Sequence, residues 1–128
     1  MSEILQQLVI FLFLWSLVSM GGAILALYVV KGEWSRSFWF MSGLWGWIDG
    51  GIALYALLRP VESLEGLRDV LLINIGLDVA YMITGVALTR FSSSKLRGFG
   101  WAILVQGMFL LVLDSCFWWK CRQALIMP

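Results

Sequence analysis

Three carboxyl groups, those of Asp49, Asp78 and Asp114, stand in long stretches that are otherwise almost wholly apolar. No Lys or Arg shares those stretches, and the chain of 128 residues has no His. At the centre of a bilayer a lone carboxylate costs at least ~2.5 kcal/mol on insertion scales. Each acid must therefore face the interior of a helix bundle and be protonated, hydrogen-bonded or bound to a cation. Two such groups at one level cannot both ionise cheaply, so an Asp49/Asp78 pair is expected to hold a proton at neutral pH unless a cation is bound. That is proton-carrier chemistry. The same oxygens would also suit an amine or a hard cation such as Mg²⁺, Ca²⁺ or Mn²⁺. Without His or paired thiols there is no ligand set for zinc, copper or haem, and no cofactor is identified.

The elements that must position these acids follow from composition. With 61% hydrophobic and 13% charged residues and a mean hydropathy of +0.89, the chain has more apolar surface than a soluble domain of this size could bury. A water-soluble enzyme is excluded on that ground. The net charge of +1 gives no basic face for phosphates, which argues against nucleic acid as a partner. Crossing a bilayer takes roughly 20 apolar residues, and four stretches qualify, at about residues 8–30, 37–58, 70–89 and 98–119. The expected fold is all-α, a single antiparallel four-helix transmembrane bundle over residues 1–128. The N-terminal stretch follows Met1-Ser2-Glu3, without Lys or Arg, and reads as a retained helix and not as a cleaved signal.

Four antiparallel spans put both termini and the 59–68 connector on one side, side A, and the other two connectors on side B. Side A then carries Arg59, Arg68, Lys120 and Arg122, and side B carries Lys31, Arg36, Arg90, Lys95 and Arg97. The balance leans toward side B being cytoplasmic. Glu3, Glu62, Glu65 and Asp69 fall on side A, and both Pro60 and Pro128 lie outside the spans. Trp34, Phe38, Trp39, Phe99 and Trp101 at side B, and Phe117, Trp118 and Trp119 at side A, read as interfacial anchors.

Counting back to side A at ~1.5 Å per residue puts Asp49 and Asp78 at one depth, ~12 to 14 Å in, and Asn74 and Asp114 in a shallower layer at ~6 to 8 Å. Ser16 on the first helix reaches the deeper level, with Gln7 at the mouth. Asn74, Asp78, Tyr81 and Gly85 recur at helical spacing and make one face of the third helix polar. Ser42, Gly46, Asp49, Gly50 and Ala53 form a small-residue stripe on the second helix, and Gly100, Gly107 and Asp114 stand at heptad spacing on the fourth. A polar pocket open toward side A is expected from Ser16, Asp49, Asn74, Asp78, Tyr81 and Asp114. The alternative is that the same groups are hydrogen-bonding contacts between helices. Cys116 and Cys121, five apart, diverge on a helix and form no redox motif.

The run Asn74-Ile-Gly-Leu-Asp78-Val-Ala-Tyr81-Met-Ile-Thr-Gly85 resembles the third-helix signature of an uncharacterised family of small bacterial four-helix integral membrane proteins. The residues that carry the resemblance are Asn74, Gly76, Leu77, Asp78, Tyr81 and Gly85. It implies a bacterial inner-membrane location and the four-helix architecture, and no activity. Small multidrug transporters are similar in size, but the first span here lacks their embedded Glu, since Glu3 lies outside it. The leading functional expectation is binding or transport of a proton or small cation through the buried acids. The second is a structural or accessory subunit of a larger membrane complex, and the small-residue stripes lead to the expectation of a homo-oligomer or a membrane-complex partner under any reading. The third is a metal-assisted intramembrane enzyme, which the lack of any loop domain disfavours.

Overall fold

In the computed structural model the chain is described over residues 3–61 and 63–126. The expectations placed on Met1, Ser2, Glu62 and Pro128 lie outside those residues. Four α-helices follow one another, α1 (Glu3–Val29), α2 (Glu33–Leu58), α3 (Leu64–Thr89) and α4 (Ser94–Ile126), and the described residues contain no strand.

All four run beyond the apolar stretches, because polar residues of good helix propensity or capping ability extend each helix past its apolar core. At the start of α3 the Ser63 hydroxyl accepts a hydrogen bond from the Gly66 N–H at 3.0 Å, as an N-cap does. Between α1 and α2 the chain turns through Gly32, whose φ of 96° suits a residue without a Cβ. Two arginines close the short connectors. Arg36 Nη1 donates to the Leu27 carbonyl at the end of α1 (2.9 Å), and Arg97 Nη1 donates to the Ser92 carbonyl (2.6 Å). Both satisfy carbonyls that a helix end or connector leaves open.

Three helices, α1, α3 and α4, are long and apolar enough to cross a membrane, and α2 is not one of them. Four were expected. The difference lies in α2's composition, since its 26 residues include Glu33, Arg36, Asp49, three Ser and four Gly, with tryptophans that rank low on hydropathy scales. Its outward face is nonetheless apolar, with Trp47 74%, Leu58 70% and Tyr55 68% exposed.

α4 packs against α3 most extensively, then against α2, and more lightly against α1, while α1 packs against α2. Glycines let these backbones meet. A Cβ on Gly100 would stand 2.7 Å from both the Gly85 carbonyl oxygen and the Thr89 nitrogen. One on Gly46 would meet the Met20 nitrogen at 3.0 Å, and one on Gly98 would strike the Trp34 carbonyl. An apolar core of Leu5, Val9, Leu12, Ala53, Leu67, Leu71, Leu110, Leu113, Phe117 and Cys121 fills one end of the bundle. Beyond it the buried residues become polar. Gln106 ties α4 to α1, accepting from Trp15 Nε1 at 2.7 Å and donating to Ser19 Oγ at 3.2 Å. The Trp15 ring stacks on Phe109 at 3.9 Å beside it.

This packing leads to three expected outcomes. Gly100→Ala is expected to lower thermal stability in detergent by ~1 to 3 kcal/mol, because the methyl meets backbone. Gly76→Ala, with nothing within 4 Å, is expected to be neutral or stabilising by up to ~1 kcal/mol. Gln106→Leu leaves the Trp15 N–H without its acceptor and is expected to cost ~1 to 3 kcal/mol in the same melt.

Candidate functional site

Each aspartate occupies a position in the buried stripe of its own helix. On α2 the stripe is Ser37, Ser42, Gly46, Asp49 and Ala53, on α3 it is Leu67, Leu71, Asp78 and Gly85, and on α4 Asp114 continues the line of Gly100 and Gly107. Asp49 lies between Gly46 and Ala53, and Asp78 and Asp114 each have a glycine on one side, Gly85 and Gly107, so that a neighbouring helix can close over each acid. The burial is nearly complete: Asp49 is 0%, Asp78 2% and Asp114 7% exposed.

The three carboxyls come together across α2, α3 and α4. Asp78 has Asp114 beside it, and Asp49 is their neighbour on α2. A contact between two carboxyls needs one proton between them. Both oxygens of Asp49, and Oδ2 of Asp78, are buried without a hydrogen-bond partner. The only described ion pair, Arg68 with Asp69 at 3.4 Å, is on the surface and offers these groups nothing.

Depth counting placed Asp114 in a shallower layer with Asn74 and matched Asp78 to Asp49. The structure keeps Asp49 near Asp78 and brings Asp114 to Asp78 as well. The reason is the direction of the Cα–Cβ bonds, which tilt toward each helix's N-terminus. Gly107 lies against Asp78 and Met82, so Asp78 leans toward the start of α3 while Asp114 leans back toward Gly107, and their ends meet.

The other expected lining residues take different roles. Ser16 is buried, and its hydroxyl donates to the Gly46 carbonyl at 2.7 Å, one turn before Asp49. Asn74 and Tyr81 are half-buried, and the Tyr81 ring meets Trp45 edge-on at 4.9 Å. Gln7 accepts a hydrogen bond from Lys120 Nζ at 3.2 Å, which ties α1 to α4 at the surface. Cys116 is exposed and Cys121 buried, both as free thiols.

Leu12, Ala53, Leu71 and Phe117 belong to the apolar core and stand between the acids and its end of the bundle. Of the expected lining residues, Ser16 borders an outside cleft between α1 and α2, together with Phe13, Trp47 and Gly50 and with no aspartate. Among the described residues no group of three His, Cys, Asp or Glu is arranged to hold a metal ion. What the site offers chemically is three buried carboxyls, groups able to carry protons. The pairing of Asp78 with Asp114 and the tie through Gln106 were both out of reach of helical spacing. Gln106 carried one signal, an amide next to a packing glycine.

The model of a family of unknown function (DUF6992) matches residues 11–115, a stretch that includes all three aspartates. No curated protein and no solved structure matches the chain. With most of its length inside that match, the protein belongs to the family of unknown function DUF6992.

Proposed function

We propose that this protein is an antiparallel four-helix integral membrane protein that binds protons at Asp49, Asp78 and Asp114 and exchanges them with one side of the membrane. The observation that carries the reading is the burial of three carboxyls within reach of one another and of no cation. Helix packing alone could be met by Ser or Gly at these positions without the insertion cost of an acid. A hard metal ion takes six or more oxygen ligands, whereas a proton needs only the pair that Asp78 and Asp114 already form.

Membrane placement is supported by the three helices of sufficient length and apolarity and by the apolar outer faces. The location in a bacterial inner membrane comes from the family resemblance. The antiparallel arrangement is supported by contacts that run in opposite order. As α3 is followed from Asp78 to Gly85, its neighbour on α4 moves from Gly107 back to Gly100. The gathering of Leu5, Ala53, Leu67 and Phe117 into one core agrees with it.

Exchange with side A then passes through the layer of Leu12, Ala53, Leu71 and Phe117, which must part for water to enter. An accessory-subunit role, in which a partner's Lys or Arg pairs with the acids, is disfavoured because Asp49 has no exposed surface for a cation to reach. Association of copies is compatible with the open outward glycines Gly51 and Gly76.

Asp78→Asn separates proton exchange from simple packing, since it keeps size and hydrogen-bonding capacity and removes the titratable group. Thermal stability in detergent is expected to stay within ~1 kcal/mol of the parent. Proton flux driven by a pH gradient in liposomes is expected in the parent and lost in the variant. Equal flux in both would remove Asp78 from the function, and no flux in the parent would favour the structural reading.

A further inference from the structure

At the end of the bundle opposite the apolar core, the close of α1 and the starts of α2 and α4 surround a cleft of about 340 Å³. Arg36 and Lys95 line it with Ser37, Leu27, Phe40 and Phe99, and no acidic residue does. Arg36 spends Nη1 on the Leu27 and Val30 carbonyls. A guanidinium has five N–H donors, so Nε and Nη2 remain for another acceptor. Lys95 Nζ stands 5.8 Å from the Phe99 ring centroid. The positive ends of the α2 and α4 dipoles point the same way. This mouth is built for an anion.

Its inner end is not polar. The cleft shares Leu27 and Phe40 with a groove between α1 and α2 whose walls include Trp39, Gly43 and Trp47. That groove shares Met20 and Trp47 with a third stretch, which reaches Gly50, Gly51 and Leu54. From Phe40 to Leu54 the path runs ~21 Å along α2, more than half of a hydrocarbon core. Glycines 43, 50 and 51 keep its floor low. A cationic mouth opening into a long apolar trough matches an anionic head joined to a hydrocarbon tail, and a free phosphate ion would use only the first part.

We propose that this seam is a phospholipid site, with the phosphate of an anionic phospholipid between Arg36 and Lys95 and one acyl chain in the α1–α2 groove past Trp39 and Trp47. It rests on the membrane placement proposed above and is independent of the aspartates. The lipid would fasten α1 to α2 and α4, and the direct α1–α4 contact is slight.

The test uses the full chain in phosphatidylcholine vesicles that contain a fixed fraction of brominated phosphatidylglycerol or of brominated phosphatidylcholine, with tryptophan quenching as the readout. Phosphatidylglycerol is expected to quench preferentially. Lys95→Gln, which leaves the Arg36 connector bonds in place, should lower that preference about fivefold, and Lys95→Arg should restore it. Trp47→Phe should remove part of the preferential quenching only. Equal quenching by the two lipids in the parent, or an undiminished preference in Lys95→Gln, would overturn the site. Loss of the preference on adding inorganic phosphate would assign the mouth to a free anion and overturn it as well. Asp78→Asn is expected to keep the full preference, so this proposal and the proton-binding one fail separately. A chain that does not float with the vesicles would remove the membrane placement and this site together.

Discussion

A carboxylate taken out of water with no cation beside it is destabilised by several kcal/mol, and α2, α3 and α4 each carry one to the inside. The rest of the architecture accommodates that fact. Asp78 and Asp114 come together between α3 and α4, and Asp49 approaches them from α2, which packs on α4. Partners that could neutralise them are kept to the surface and the ends. Arg36 and Arg97 are occupied with connector carbonyls, Lys120 with Gln7, and Arg68 with Asp69.

Glycine makes the convergence feasible. At Gly85 and Gly100 the backbones of α3 and α4 touch, and at Gly46 and Gly98 α2 comes equally close to α1 and α4. Such close approach supplies dispersion contacts, which are what hold helices together wherever lipid removes the hydrophobic driving force between them. It also excludes water from the acids. The bundle is therefore graded along its length, with a leucine-rich core at one end, a carboxyl and amide layer in the middle, and a glycine and serine seam at the other. The proposed lipid groove runs along the outside of that seam, over the line where α1 closes onto the small residues of α2.

Much of this was legible in helical spacing. Ser42, Gly46, Asp49 and Ala53, and likewise Gly100, Gly107 and Asp114, read as packing stripes in the sequence and are buried stripes in the structure. Spacing describes one helix at a time. The pairing of Asp78 with Asp114 depends on the register between two helices and on the tilt of their side chains, which no single stripe contains. Gln106 is similar, since its partners Trp15 and Ser19 are some ninety residues away. The helix ends were missed for another reason. Apolarity marks the part of a helix suited to a membrane, while Ser63 and Glu33 extend α3 and α2 through capping and propensity beyond it.

The claim on which the functional reading depends is that protons reside on the buried aspartates. Infrared spectroscopy of the protein in lipid, with the protonated-carboxyl stretch followed across pH, reads this directly. The expected result is a protonated-carboxyl band present at neutral pH, reduced by Asp78→Asn and by Asp114→Asn, since those two share a proton. No such band at neutral pH, or a band that neither substitution alters, would contradict it.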